Sequence, residues 1–269
     1  MKVGWVRDLT LDDRPGGAQR CERLLKMAAP TSVELIECPP GNVQDNVDAY
    51  IALRCQLYTV EEIEKITSKP CFHWAMDYWE WTNFEQRQII FTKSRKILFG
   101  SPLHKQIFVR RWNIGQKAEL LPYPIDVEKW LSIRNRSNGR SGAMWYGENH
   151  PYKGPDLAVR WSTMNQIPLD IYGVGMPQQP SNNPLVHMVG QVSDSDLDLA
   201  LATHEKFVHF PRGPEGFCYS LMEAWLAGLE VIYAGRIGLD SWEKDWVELA
   251  EDCNNAPRRF WEIAEQCLG

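Results

Sequence analysis

The sequence predicts an α/β protein that contains two parallel sheets. Short β-rich runs alternate with segments of helical periodicity through almost all of the 269 residues, and this alternation is typical of parallel sheets that helices cover on both faces. The composition, with 44% hydrophobic and 24% charged residues, is that of a globular protein with a sizeable core. The stretch 126–142 is polar, basic and rich in turn formers, and it separates two series of elements in a similar order. We therefore expect one domain on each side of this stretch.

The first series begins with a strand, a glycine-containing loop and a helix. Lys2–Val6 is the predicted strand, and the loop after it ends in Pro15-Gly16-Gly17. Apolar residues then recur at helical spacing. Further strands are expected at Val33–Glu37, Ile51–Leu53, Cys71–Trp74, Ile97–Phe99 and Ala118–Leu121, and helices at Ala18–Ala29, Val60–Thr67, Phe84–Thr92 and Pro102–Trp112. Together they form the expected N-terminal domain, 1–125.

The second series follows the expected linker at 126–142. Its predicted strands are Ala143–Tyr146, Leu169–Tyr172, Val186–Val189, Phe207–Phe210 and Val231–Ala234, and its helices are Pro155–Met164, Asp194–Thr203, Phe217–Ala227, Trp242–Ala250 and Pro257–Leu268. We expect a second Rossmann-like domain at 143–255 that faces the first across a cleft, and a C-terminal helix at 256–269 that packs back on the first domain. Ligands of such sheets bind outside the carboxyl ends of the strands.

Charge and cysteine content exclude several classes of protein. The net charge is -6 and no long basic run occurs, which argues against a protein that coats nucleic acid. The seven cysteines are scattered without a C-x-x-C pair, so reduced thiols are expected. Because no signal-peptide apolar region or run of 18 apolar residues is found, we expect a soluble, cytoplasmic protein without stable membrane insertion.

The segment PEGFCYSLMEAW, from Pro214 to Trp225, places two glutamates eight positions apart. Glu215 is expected in the loop after a strand and Glu223 inside the next helix, so both can face the same crevice. The first N–H groups of that helix lie at the positive end of its dipole and suit an anion. A carboxylate accepts two hydroxyls at once, as a ribose would require. By itself the spacing is also compatible with two solvated surface acids.

The wider passage GQVSDSDLDLALATHEKFVHFPRGPEGFCYSLMEAWLAGLEVIYAG, 190–235, resembles the signature region of retaining glycosyltransferases of the GT-B fold, in the GT4-type (glycosyl transferases group 1) family. Further segments are similar to that family in the same order: PGGAQR, SKPCFHWAMDYW, SPLHKQIF, LLPYPIDVEKW and MWYGENHPYKGPDLAV. The resemblance covers most of the chain. It implies a GT-B fold with a shortened N-terminal domain on the acceptor side, and transfer of a sugar from a nucleotide-diphosphate sugar.

The resemblance also implies roles for individual residues. Glu223 would hold the ribose hydroxyls, and Lys153 would offset the charge of the diphosphate, although alone it could be a solvated loop lysine. The sugar would meet Glu215 and the backbone N–H groups of Gly216, Phe217 and Cys218. Gly16 and Gly17, which alone could form a plain turn, would let backbone approach the phosphates, and the backbone of Val192 would contact the base. Retaining members of the family are thought to use no protein nucleophile, so the leaving diphosphate could accept the proton of the acceptor.

Two departures from the family pattern concern charge and a missing histidine. Glu148 occupies the position five residues before Lys153 where the family commonly has an arginine, and a carboxylate there would repel a diphosphate unless Arg212, Arg236 or His150 compensates. Met76 stands where the family usually has the sugar-contacting histidine. Asp77 is therefore expected to substitute for it as a catalytic residue, because His73 would point to the other face of a strand.

A third departure is Cys218, which replaces a glycine of the family and adds a side chain beside the expected sugar pocket. No metal is expected. The triplet Asp194-Ser195-Asp196 opens a predicted helix, where aspartates complement the dipole, and the histidines lack zinc-ligand spacing. The rival interpretation is a catalytically degenerate GT-B-like domain that binds a nucleotide, glycan or protein partner. A nucleotide-sugar epimerase is less compatible with the passage from Glu215 to Glu223. The acceptor stays open among glycan, lipid, protein and modified base.

Overall fold

The computed structural model describes residues 1–8, 16–76, 84–136, 139–177 and 182–269. The chain divides into two compact units: the first contains Met1–Ile125 and Gly238–Gly269, and the second contains Asp126–Ile237. Each unit has its own parallel sheet. The boundaries differ from the expected ones at two places, since 126–142 belongs to the second unit and 238–255 to the first.

The first unit is built on a six-stranded sheet in the order β2-β1-β3-β4-β5-β6, with every pair parallel. The chain runs outward in one direction from β1 to β2 and in the other from β3 to β6, so the topological switch point lies between β1 and β3. Its elements are β1 (Lys2–Val6), α1 (Gly17–Met27), β2 (Glu34–Cys38), β3 (Ala49–Ala52), α2 (Val60–Thr67), β4 (Cys71–Ala75), α3 (Phe84–Lys93), β5 (Lys96–Phe99), α4 (Pro102–Arg111) and β6 (Ala118–Leu120).

The first unit ends in one long helix, α9 (Trp246–Leu268), where the sequence predicted two shorter ones. Pro257 lies inside it, although proline cannot donate the hydrogen bond to the carbonyl four residues earlier. That carbonyl, on Cys253, instead accepts from the backbone N–H of Ile125 at 3.4 Å. Phe260 of α9 packs against Trp74 of β4, with ring centroids 5.3 Å apart. The contact explains why Trp74 belongs to the core.

The second unit has a five-stranded parallel sheet in the order β11-β10-β7-β8-β9. Its switch point lies between β7 and β10, because β8 and β9 follow β7 on one side while β10 and β11 lie on the other. Its elements are α5 (Val127–Arg136), β7 (Ala143–Tyr146), α6 (Pro155–Asn165), β8 (Leu169–Tyr172), β9 (Val186–Gly190), α7 (Asp194–Thr203), β10 (Lys206–His209), α8 (Tyr219–Leu226) and β11 (Glu230–Tyr233).

Helix α5 occupies much of the expected linker. Its polar and basic surface is typical of a connecting segment, but Trp130 and Ile133 lie three residues apart on one face and are buried. That face packs against α7 and α8, so tertiary contacts stabilise a helix that its composition does not favour.

The described residues were searched for membrane-spanning helices and for disulfides. Among the described residues, no helix is both long enough and apolar enough to cross a membrane. The seven cysteines all lie in the described part of the chain, and no disulfide joins them.

Candidate active site

The loops after β7 and β10, at the switch point of the second sheet, are in direct backbone contact. Gly154 has a φ of 67°, and a Cβ atom there would lie 2.1 Å from the carbonyl oxygen of Phe210. Only glycine combines this left-handed conformation with so close an approach. The backbone N–H of Arg212 donates to the carbonyl of Tyr152 at 2.8 Å, and the ring of Tyr152 packs so tightly on Gly213 that a Cβ would lie 2.2 Å away.

This contact between the loops brings Lys153 to Glu215. Lys153 ends a short 3₁₀ turn, Pro151–Lys153, and its Nζ atom donates to both carboxylate oxygens of Glu215 at 2.9 and 2.8 Å. Glu215 is only 6% exposed. Its backbone N–H donates to the carbonyl of Arg236 at 2.9 Å, so the loop after β11 fixes the position of its main chain. The pair therefore joins three strand-end loops.

The electrostatic environment keeps Glu215 ionised. Burial by itself would raise the pKa of Glu215, but the ammonium of Lys153 and the ring of His209 outweigh it and hold the pKa at about 2. The Nε2 atom of His209 lies 3.4 Å from Oε1 of Glu215. Burial would lower the pKa of His209, but Cys218 and Glu215 beside it raise that pKa to about 9. At neutral pH the site thus contains an ionised carboxylate between two cationic side chains.

Glu223 lies at the same edge of the sheet. It occupies the second turn of α8 and is buried, and its Oε2 atom accepts a hydrogen bond of 2.8 Å from the hydroxyl of Tyr146. Tyr146 is the last residue of β7. The two sequence-predicted glutamates, Glu215 and Glu223, are therefore both found at the carboxyl ends of β7 and β10.

Helix α8 begins at Tyr219, two residues later than the sequence predicted. Gly216 and Phe217 lie in the preceding loop, and Cys218 is the N-cap residue with a φ of 84°. For a residue with a Cβ atom this left-handed conformation is unfavourable. Cys218 is also buried. The resemblance implied a glycine at this position, and the backbone keeps the conformation that a glycine would adopt.

Three basic groups were expected to compensate for Glu148, which is exposed directly after β7. His150 accepts from the backbone N–H of Tyr152 through Nδ1 at 3.2 Å and so caps the turn. Arg212 donates to both carboxylate oxygens of Asp156. Arg236 is exposed and makes no ion pair with any residue that the structure describes. Of the two arginines, only Arg212 is paired with a carboxylate among the described residues.

The remaining residue of the expected donor site in this unit is Val192. It lies half-buried in the turn between β9 and α7, directly before Ser193. Ser193 is the N-cap of α7 and accepts from the backbone N–H of Asp196 at 3.2 Å. The acidic triplet thus forms the first turn of a helix. In the described ranges of the chain no group of three His, Cys, Asp or Glu side chains is arranged to hold a metal ion.

The expected site residues of the first unit lie after β1 and β4. Gly16 is the N-cap of α1 and Gly17 its first residue. Gly16 has a φ of -157°, an extended conformation open to any residue. His73 is buried in β4, where its Nδ1 atom is 2.8 Å from the carbonyl oxygen of Ala52, and burial lowers its pKa to about 3. Asp77 lies outside the described residues, as do Trp79 and Trp81.

His209 and Tyr146 belong to the site but were not expected there from the sequence. His209 is a polar residue directly after the apolar pair Phe207-Val208 of β10, and such an interruption is a signal that could have identified it. Tyr146 has no comparable signal, since tyrosine is common in strands. Its role depends on the neighbouring helix.

Comparison with known proteins gives a match in structure alone. No protein family model and no curated protein matches the sequence. HepE of Anabaena, solved with UDP and glucose, has a TM-score of 0.70 and 12% identity over 99% of this chain and 95% of that chain. AviGT4, a glycosyltransferase involved in avilamycin A biosynthesis, gives 0.66 and 13% over 100% and 98%.

A third similar structure is an alpha-glucosyltransferase in complex with UDP and a 13-mer DNA containing a HMU base, with a TM-score of 0.60 and 9% identity over 97% of this chain and 90% of that chain. These likenesses confirm the expected fold class: the chain has the two parallel-sheet α/β domains of GT-B glycosyltransferases.

Proposed function

We propose that this protein is a retaining, metal-independent glycosyltransferase of GT4 type that takes its sugar from a uridine-diphosphate sugar. The observation that carries the proposal is the buried pair of Lys153 and Glu215 at the switch point between β7 and β10, with Glu223 on the adjoining helix. Ligands of open parallel sheets bind at such points. The choice of uridine follows the UDP bound in HepE and in the alpha-glucosyltransferase of similar fold.

The donor would be held by residues of the second unit. Glu223 would accept the two ribose hydroxyls, and the turn at Val192 would contact the base. The sugar hydroxyls would meet Glu215 together with the backbone N–H groups of Gly216 to Cys218, which directly precede α8. Helix dipoles and backbone N–H groups stabilise negative charge at such a helix start.

Lys153 would neutralise charge that develops on the diphosphate as the sugar bond breaks. In the free protein its ammonium is committed to Glu215, so binding of the donor would require Lys153 to share its three hydrogens between the carboxylate and a phosphate oxygen. Arg236 would supply the positive charge that is missing because Glu148 stands in place of an arginine. The acceptor hydroxyl would attack on the face from which the diphosphate departs, and a phosphate oxygen would take its proton. No covalent intermediate with the protein is required.

In the first unit, Gly16 and Gly17 at the start of α1 would offer backbone N–H groups to the phosphates, and Asp77 would serve as the catalytic substitute for the missing histidine. The acceptor is a glycan, lipid, protein or modified base. A screen of candidate acceptors would identify which of these classes is used.

The test is a thermal-shift and calorimetric screen against UDP-, GDP-, ADP- and TDP-sugars, with and without EDTA. We expect selective stabilisation by a UDP-sugar that EDTA does not change. Stabilisation that EDTA abolishes would refute metal independence, and stabilisation by another nucleotide alone would refute the choice of base. Product anomers analysed by NMR after transfer to an identified acceptor would test retention.

A second candidate is a binding domain without turnover, and the exposed Glu148 beside the expected diphosphate position favours it. In that case a UDP-sugar would bind but would be neither hydrolysed nor transferred. Release of UDP from UDP-sugars by the wild-type protein separates the two candidates. If UDP release is absent, Glu148→Arg provides a further check, because restored charge compensation should then strengthen UDP binding.

A further inference from the structure

His209 is a buried polar residue to which the proposed reaction assigns no role. It ends β10 and is 2% exposed, and among the described residues neither ring nitrogen has a hydrogen-bond partner of good geometry. Buried polar atoms in proteins are normally hydrogen-bonded, so such an atom requires an explanation. Two polar groups lie beside the ring: Glu215, whose Oε1 atom is 3.4 Å from Nε2, and the thiol of Cys218.

The charges of the surrounding groups give that explanation. Lys153 and Glu215 carry opposite charges and cancel each other, so the pair alone offers no net attraction to an anion. A protonated His209 gives the three residues together a charge of +1. Other titratable groups also lie on the elements packed around β10: Cys218 and Glu223 of the α8 segment, Tyr146 of β7, Glu230 and Tyr233 of β11, and Asp156 and Arg160 of α6.

We propose that His209 provides the net positive charge of the Lys153–Glu215 pair and thereby strengthens the binding of a nucleoside diphosphate at the carboxyl ends of β7 and β10. The inference rests on the proposed function, because it needs the diphosphate to bind there. His209 is buried and therefore acts through its charge and through the orientation of Glu215. It is a positioning residue that does not touch the ligand. A buried charge is weakly screened by water, so it influences a ligand over several ångströms.

The protonation state of the His209 ring determines whether affinity rises or falls with pH. Cys218 and Glu215 raise the pKa of His209 to about 9 against the opposing effect of burial. The positive charge is present at neutral pH and is lost as the pH rises through that value. Affinity for a diphosphate should therefore fall between neutral and alkaline pH.

The test is calorimetric titration with UDP, and in parallel with uridine, at pH 7.5 and 9.5. The proteins are the wild type, His209→Gln and the control His187→Gln, which changes an exposed histidine of the same unit. We expect the wild-type affinity for UDP to fall roughly tenfold between the two pH values, the effect of one unit charge near a diphosphate in a partly buried site. His209→Gln should bind UDP weakly at both pH values, and His187→Gln should behave like the wild type. Uridine carries the base without the diphosphate, so its affinity should be equal in all three proteins.

The outcomes separate this inference from the proposed function. If the wild type binds UDP and the ratio of affinities at the two pH values is the same for His209→Gln, the inference is wrong and the proposed function stands. If the wild type binds neither UDP nor uridine at either pH, the proposed function fails and the inference fails with it. Should His209→Gln not fold, the wild-type profile still decides, because a UDP affinity that changes no more than that of uridine contradicts the inference.

Discussion

The ionised carboxylate of Glu215 should make the protein more stable at neutral pH than the variant Glu215→Gln. Its pKa falls from the ordinary value of 4.5 to about 2, because Lys153 and His209 outweigh the effect of burial. A depressed pKa stabilises the folded state above the unfolded value of 4.5, and this stabilisation is lost as the pH falls towards 2. This pKa shift corresponds to a stabilisation of the folded state by about 3 kcal/mol at pH 7 and about 1 kcal/mol at pH 3. Glutamine removes the charge and turns an N–H donor towards either Lys153 or His209.

Urea unfolding followed by circular dichroism measures this difference at both pH values. Glu128→Gln is the matched control, because Glu128 is an exposed glutamate in the first turn of α5 in the same unit, and its substitution should change the free energy of unfolding by less than about 0.5 kcal/mol. A loss of unfolding free energy in Glu215→Gln that is no larger than in the control at pH 7 would contradict this prediction. An equal loss of stability at pH 3 and pH 7 would also contradict it, because a loss that is independent of pH does not come from the carboxylate charge.

Three further predictions concern the proposed donor site. Glu223→Ala should weaken UDP binding by roughly 1–3 kcal/mol, the scale of charge-assisted hydrogen bonds, and an unchanged calorimetric affinity would reject the ribose role. Arg236→Ala should weaken UDP binding more at low salt than at high salt. The control Arg212→Ala should change UDP binding less, because Arg212 is paired with Asp156. Equal effects of the two substitutions would argue against charge compensation by Arg236. Cys218→Gly should raise the free energy of unfolding by about 1 kcal/mol, because it removes a Cβ atom from a left-handed conformation. A lower melting temperature in calorimetry would show instead that the packing of the thiol outweighs the strain.

The sequence predicted most strands and helices because buried parallel strands read as short apolar runs. β4 and β7 are buried at every position, which leaves little ambiguity in their interpretation. The order of these elements was then enough to predict the two parallel-sheet domains. The place of Glu215 after β10 and of Glu223 inside α8 followed from the same order, and both are found where the carboxyl ends of the strands meet.

What the sequence could not predict depends on contacts between distant residues. Pro257 indicates a helix end, yet α9 continues through it because Ile125, far away in the chain, satisfies the carbonyl of Cys253. Likewise nothing near Lys153 in the sequence points to Glu215, and the pair forms only because Gly154 allows the loops after β7 and β10 to touch. Local patterns do not contain such information.

The buried ionisable side chains of the second unit lie at one edge of its sheet. Among its described residues, the buried polar side chains are those of Ser162, His209, Glu215 and Glu223, and three of the four lie at the carboxyl ends of β7 and β10. Cys218, in a left-handed conformation, lies between the two glutamates. Apolar side chains would satisfy these positions at lower cost, because a buried ion pair seldom stabilises a fold more than well-packed hydrophobic residues do. Strain and buried charge that cluster in this way are typical of functional sites. This edge of the sheet therefore has the properties of a ligand site even without resemblance to any other protein.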